Sequence, residues 1–116
     1  MLTENWFDVT ATSASGHAIL YPLDGRVKLL IDLANWGGES KYRSLAEIAS
    51  YEVICQAKAQ WGARGVGEAD FRRSLDAVVG SGYAVPLALV CDAYGVGEWD
   101  GLARLGEIAM DQPTDR

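Results

Sequence analysis

The chain is poor in the residues that usually announce catalysis. It has one histidine, His17, and two cysteines, Cys55 and Cys91, in 116 residues. The cysteines lie far apart, with no CxxC spacing and no histidine beside them, so a zinc-type ligand set is excluded and no metal or cofactor is expected. Free thiols buried in apolar segments of a reducing compartment are the reading that remains. His17 falls beside a turn-like cluster and reads as a surface residue. GxSxG, HExxH, GxGxxG and GK[ST] do not occur, so the common nucleophile, metalloprotease and phosphate-loop signatures are missing.

Positive charge is scarce as well. Ten Lys and Arg face sixteen Asp and Glu, for a net charge of −6. Sequence-independent binding to DNA or RNA needs clustered cations that displace counterions from phosphates, so nucleic acid is a disfavoured partner. Residues 41–73 are the exception, with Lys41, Arg43, Lys58, Arg64, Arg72 and Arg73. Long apolar runs are also lacking. The uncharged stretch 77–91 is shorter than a membrane span and is interrupted by Gly80, Ser81, Gly82 and Pro86. The opening MLTENWFDVT has neither the basic nor the apolar region of a signal peptide. A soluble, cytoplasmic protein without a membrane partner is expected.

What is present is ordinary globular composition, 49% apolar and 22% charged, in a chain long enough for a core of its own. Residues 1–116 are read as one α+β domain. Asp24-Gly25 between two apolar runs is a strong hairpin signal, because a type I′ turn needs positive φ at both positions. Period-2 alternation then places Phe7, Val9, Ala11, Ala18, Leu20, Val27, Leu29, Ile31 and Leu33 on one face of a three-stranded antiparallel β-meander over 5–35. The opposite face carries Trp6, Tyr21, Lys28 and Leu30 and is less polar than a solvent face. Residues 44–110 read as four α-helices in two helix hairpins packed on the sheet. Ser44-Leu45-Ala46-Glu47 is taken as a capping box for the first helix, which runs to about Gly62, and Pro86 as the first turn of the third. Phe71, Leu75, Val78 and Val79 mark the second helix; Leu102, Leu105, Ile108 and Ala109 mark the fourth. The tail 111–116 should fray.

One string occurs twice, GVGE at 65–68 and again at 95–98. With both copies placed between helices, Gly65 and Gly95 end one helix in the left-handed conformation and Glu68 and Glu98 begin the next beside its positive end. A phosphate or calcium loop fits poorly, since neither copy follows an expected strand and the required ligand positions hold apolar side chains.

The leading expectation for function is a non-enzymatic acidic module that binds another protein, of the inhibitor, immunity or anti-defence kind found in bacteria and their mobile elements, with homodimerisation through the outer sheet face compatible with it. Its interaction candidates are Trp6, Tyr21, Lys28, Leu30, Trp36 and Trp99, aromatic or apolar anchors of the sort interfaces prefer. The alternative is a small enzyme or enzyme subunit using carboxylates, such as Asp32 with Glu39 or Glu98 with Asp100, together with Tyr21 or Tyr42. A nucleic-acid binder acting through 41–73 comes third. Two acids converging in a cleft would favour the enzyme; a flat aromatic patch would favour the binder.

Overall fold

A computed structural model describes residues 2–4, 12–82, 84 and 86–111, without the side chains of Leu2 and Glu52. In place of the antiparallel meander, it contains a parallel sheet. Strands β1 (Leu2–Glu4), β2 (Lys28–Asp32), β3 (Glu52–Lys58) and β6 (Leu87–Val90) lie side by side in that order, all parallel. Helices α1 (Ser13–Leu20), α2 (Lys41–Ile48) and α3 (Glu68–Val79) lie in the connections between them, and α4 (Glu98–Met110) follows the last. A two-residue hairpin, β4 (Trp61–Gly62) and β5 (Gly65–Val66), follows β3. Parallel neighbours cannot be joined by a tight turn, which is why a helix intervenes at each step.

The expected second strand is the clearest correction. Residues 13–20 are helical because Thr12 caps them: its Oγ1 accepts from the Ser15 amide, and Ser15 Oγ accepts from the Thr12 amide. Asp24 and Gly25 do adopt positive φ, 46° and 78°, and the Arg26 amide closes the turn on the Leu23 carbonyl at 3.0 Å. That turn joins a 3₁₀ segment, Tyr21–Leu23, to β2 rather than two strands. The first meander strand and the tail 112–116 fall outside the described residues.

The first and third expected helices are corrected too. Ser44 lies inside α2 rather than capping it, and Glu52–Lys58 is the central strand β3. The stretch after Pro86 is edge strand β6. The second and fourth helices stand where the apolar periodicity placed them, as α3 and α4.

All four helices contribute to one buried cluster on one sheet face. Leu20, Leu45, Ile48, Phe71, Leu75, Val78, Leu105 and Ile108 pack with Leu29, Ile31, Cys55 and Ala57 of the strands. Sequential strand order with right-handed crossovers puts the described helices on the same side, where they cover the sheet. The other face carries Leu30, Asp32, Ile54, Gln56, Lys58, Ala88 and Val90, by the alternation of side chains along each strand.

Ion pairs tie neighbouring helices together. Lys41 Nζ lies 2.8 Å from Asp70 Oδ2, Tyr42 Oη donates to Asp70 Oδ1 at 2.6 Å, and the Arg73 guanidinium sits 4.0 Å above the Tyr42 ring. Arg104 reaches from α4 to Glu68, and Arg72 joins Glu68 to Asp111. Both GVGE copies precede a helix as expected, with Gly65 at φ 100° and Gly95 at φ 78°. Neither ends one: Gly65 and Val66 form β5, and the second copy follows β6. Their glycines serve strand-to-helix turns.

A candidate active cleft at the strand ends

Because all four strands run the same way, their C-terminal ends open onto one rim, where side chains from separate segments converge. In open α/β sheets that rim is where ligands are held. Three polar side chains meet there. Asp32 ends β2, Lys58 ends β3, and Asp92 follows β6 by two residues. Asp32 is the register partner of Gln56, and Lys58 of Val90, so period-2 alternation brings Asp32, Gln56 and Lys58 to the same face. The Lys58 ammonium lies 2.8 Å from Asp92 Oδ2 and 4.0 Å from Asp32 Oδ2.

Their environments differ, and so do their proton affinities. Asp32 is buried at 3% exposure, and desolvation raises its pKa above the ordinary value, against the opposing pull of the Ala34 amide (2.9 Å to Oδ1) and of Lys58. Lys58 is held cationic more firmly than a free lysine. Its hydrogen bond to Asp92 is the main cause and outweighs burial, with the charges of Asp32, Asp92 and Glu4 adding to it. Glu4, at the end of β1, accepts a hydrogen bond from Asn35 Nδ2 at 3.1 Å. The rim thus carries a buried carboxyl, a fixed cation and a solvated carboxylate.

Beside this group lies an open cleft of about 590 Å³. Asn35, Lys58, Gln60, Trp61, Asp92 and Tyr94 supply its polar and aromatic lining, with Gly62 and Ala63 of the hairpin turn along one side. Gln60 Nε2 is anchored on the Ala34 carbonyl at 3.0 Å. Tyr94 is fully exposed at the mouth, and the Trp61 indole nitrogen is buried without an acceptor. No Ser, Thr, Cys or His among the described residues lines the cleft. Among the described residues, no group of three or more His, Cys, Asp and Glu is placed to hold a metal ion.

The described interaction candidates read from the sequence stand on different elements. Trp6 lies outside the described residues. Trp36 is core, 5% exposed, with its indole nitrogen unpartnered. Tyr21 is exposed and stacks on His17, ring centroids 5.2 Å apart. Lys28 begins β2 and Leu30 is half-buried on the face that bears Asp32. Trp99 is 83% exposed in the first turn of α4, which follows the opposite, C-terminal rim. Of the acid pairs, Glu39 lines a separate shallow depression with Ser40 and Arg43, while Glu98 and Asp100 are exposed on α4. Nor do the cations of 41–73 make one basic patch: Lys41, Arg43, Lys58 and Arg72 pair with acids, and Arg73 lies over Tyr42.

Sequence reasoning missed Lys58, Asp92 and Gln60 because it placed their segments in helices. The available signal was an apolar run ending in a polar residue at two places, VICQAK and LALVCD. No protein-family model matches this chain, and comparison with curated proteins finds no significant relative. No described helix is long and apolar enough to cross a membrane.

Proposed function

We propose that the protein is an enzyme that hydrolyses phosphodiester bonds of a nucleic acid at the strand-end cleft. The observation that carries this reading is the Lys58 ammonium held between Asp32 and Asp92 at the edge of an open cleft. A fixed cation at that position stabilises negative charge as it develops on a phosphoryl oxygen. Asp92, solvated and lining the cleft, is the carboxylate placed to take a proton from attacking water, while buried Asp32 helps hold Lys58. Magnesium is commonly held by one or two carboxylates together with substrate phosphate oxygens. A divalent ion carried on the substrate phosphates would also offset the net negative charge that otherwise repels a polyanion. The exposed Tyr94 at the mouth suits stacking on a base, and Arg64 in the adjacent hairpin turn suits a backbone phosphate.

The test is turnover of single- and double-stranded DNA, of RNA, and of bis(p-nitrophenyl) phosphate, with and without Mg²⁺ or Mn²⁺. Wild type should cleave at least one nucleic acid in the presence of metal. Lys58→Ala and Asp92→Asn should each lose about 10²-fold or more in kcat, with Glu39→Gln as an unaffected control. Absence of turnover on every substrate with every metal would sink the proposal.

A second reading is favoured by one observation: Tyr94 and Trp99, in a single short segment, are both largely exposed. Exposed aromatics are typical protein-interface anchors, and the protein would then be a binding module of the inhibitor type. Stoichiometric capture of a host protein that is abolished by Trp99→Ala, with no phosphodiester cleavage, would select that reading.

A further inference from the structure

We infer that two copies of this chain associate through the edge strand β6, pairing it antiparallel with itself about a two-fold axis. Among the described residues the sheet has two edges, β1 and β6. Proteins normally blunt an exposed edge with charge or a very short strand. Edge β1 carries Glu4, whereas β6 reads Leu87-Ala88-Leu89-Val90 with no charge. Leu87 and Leu89 remain 38% and 36% exposed.

The main chain of β6 specifies what fits. The Cys55 amide donates to the Pro86 carbonyl at 3.0 Å, which sets the phase of the β3–β6 ladder. Pro86, Ala88 and Val90 therefore turn their main-chain groups toward β3, and Leu87 and Leu89 turn theirs outward. The amide that proline lacks faces inward, so the outer edge is complete. Among the described residues no strand pairs with this outward row of donors and acceptors, which suits another extended strand.

Symmetry selects the register. Leu87 and Leu89 are register partners of the core residues Cys55 and Ala57, so both leucines lie on the helix-covered face. A two-fold axis perpendicular to the sheet keeps that face on one side in both copies. Residues opposite each other must then have the same parity. The register that places Leu87 opposite Leu89 of the second copy meets this condition and puts Ala88 on the axis. It also joins the outward groups reciprocally, in about four main-chain hydrogen bonds. The leucines of both copies come together, and Asp92 falls opposite position 84 of the second copy, so no like charges meet. On α4, Trp99, Ala103, Gly106 and Met110 form a charge-free stripe at helical spacing, and a Cβ at Gly106 would sit 3.5 Å from Leu89 Cδ1. The stripe continues the apolar edge outward and widens the surface a second copy would cover.

The measurement is sedimentation equilibrium across a concentration series, with disulfide trapping at the axis. A non-hydrogen-bonded antiparallel pair has Cα atoms about 4.5 Å apart, within disulfide range. Ala88→Cys should give a covalent dimer under mild oxidation, and Gln56→Cys, in the interior of the sheet, should not. Leu87→Lys and Leu89→Lys, at already exposed positions, should weaken the dimer by about tenfold or more while keeping the circular dichroism spectrum. A wild-type protein that stays monomeric at high concentration overturns the inference. So does a dimer that Ala88→Cys fails to trap and the lysine variants leave intact.

Discussion

Replacing Gly101 with alanine should destabilise the protein even though alanine is the better helix former. Gly101 lies in the first turns of α4, fully buried against the strand-to-helix joint. A Cβ built there would collide with Cys91 Sγ and lie 3.1 Å from Cys91 Cβ and 3.3 Å from Val96 Cγ1. Rotation of the thiol can relieve the first contact. The other two remain, so the start of α4 must shift or the joint must open. Overpacking of this kind costs about 1–3 kcal/mol, and alanine's helix preference returns about 1 kcal/mol. A net loss of up to about 2 kcal/mol is expected in urea denaturation followed by tryptophan fluorescence and circular dichroism. The cause is separable by a double-mutant cycle. In a Cys91→Ala background the thiol contact is gone while the Cβ and Val96 contacts stay, so Gly101→Ala should lose less than in wild type, with a coupling of about 0.5–1 kcal/mol. A stabilising Gly101→Ala, or coupling below about 0.5 kcal/mol, would show that the thiol does not set the seat of this helix.

Two further outcomes are expected. Asp70→Asn leaves the Lys41 ammonium, 6% exposed, without its carboxylate and should lower stability by about 2 kcal/mol at neutral pH. For Asp70 itself, burial raises the pKa, but the hydrogen bonds from Lys41 and Tyr42 with the charges of Lys41 and Arg73 bring it net below 3.8. The wild-type advantage should therefore be complete above pH 3.8 and vanish as pH falls through the lowered folded value. An advantage that persists unchanged at lower pH would contradict this pairing. Trp36→Phe removes a buried donor that has no acceptor, so despite the smaller ring it should lose less than about 1 kcal/mol, against about 3–5 kcal/mol for Trp36→Ala. Equal losses in thermal or chemical denaturation would contradict that. Loss of a partner on Trp36→Ala would in any case report the core and not an interface.

Which parts were legible depended on how local their determinants are. Helices α3 and α4 were readable because apolar residues at helical spacing lie on one side, with acids in the first turn of each. The turn at Asp24-Gly25 was readable because its backbone conformation follows from those two residues. Residues 52–58 and 87–90 were not, since a short apolar run fits a buried strand and a buried helix equally well. Thr12 with Ser15 was a capping signal close to the chain start, but alternation through Ala18 and Leu20 obscured it.

The cleft depended on the same ambiguity. Lys58 is one lysine among several until β3 lies between β2 and β6, and only parallel order carries Asp32, Lys58 and Asp92 to one rim. The amino-acid sequence by itself determined the conformations that rest on neighbours within a turn or two: the positive-φ joints, the one-sided helices and the acids at their starts. Tertiary structure alone decided which apolar runs became strands and what met at their ends. Strand pairing is a contact between residues far apart in the chain, and its free energy is not contained in either segment alone.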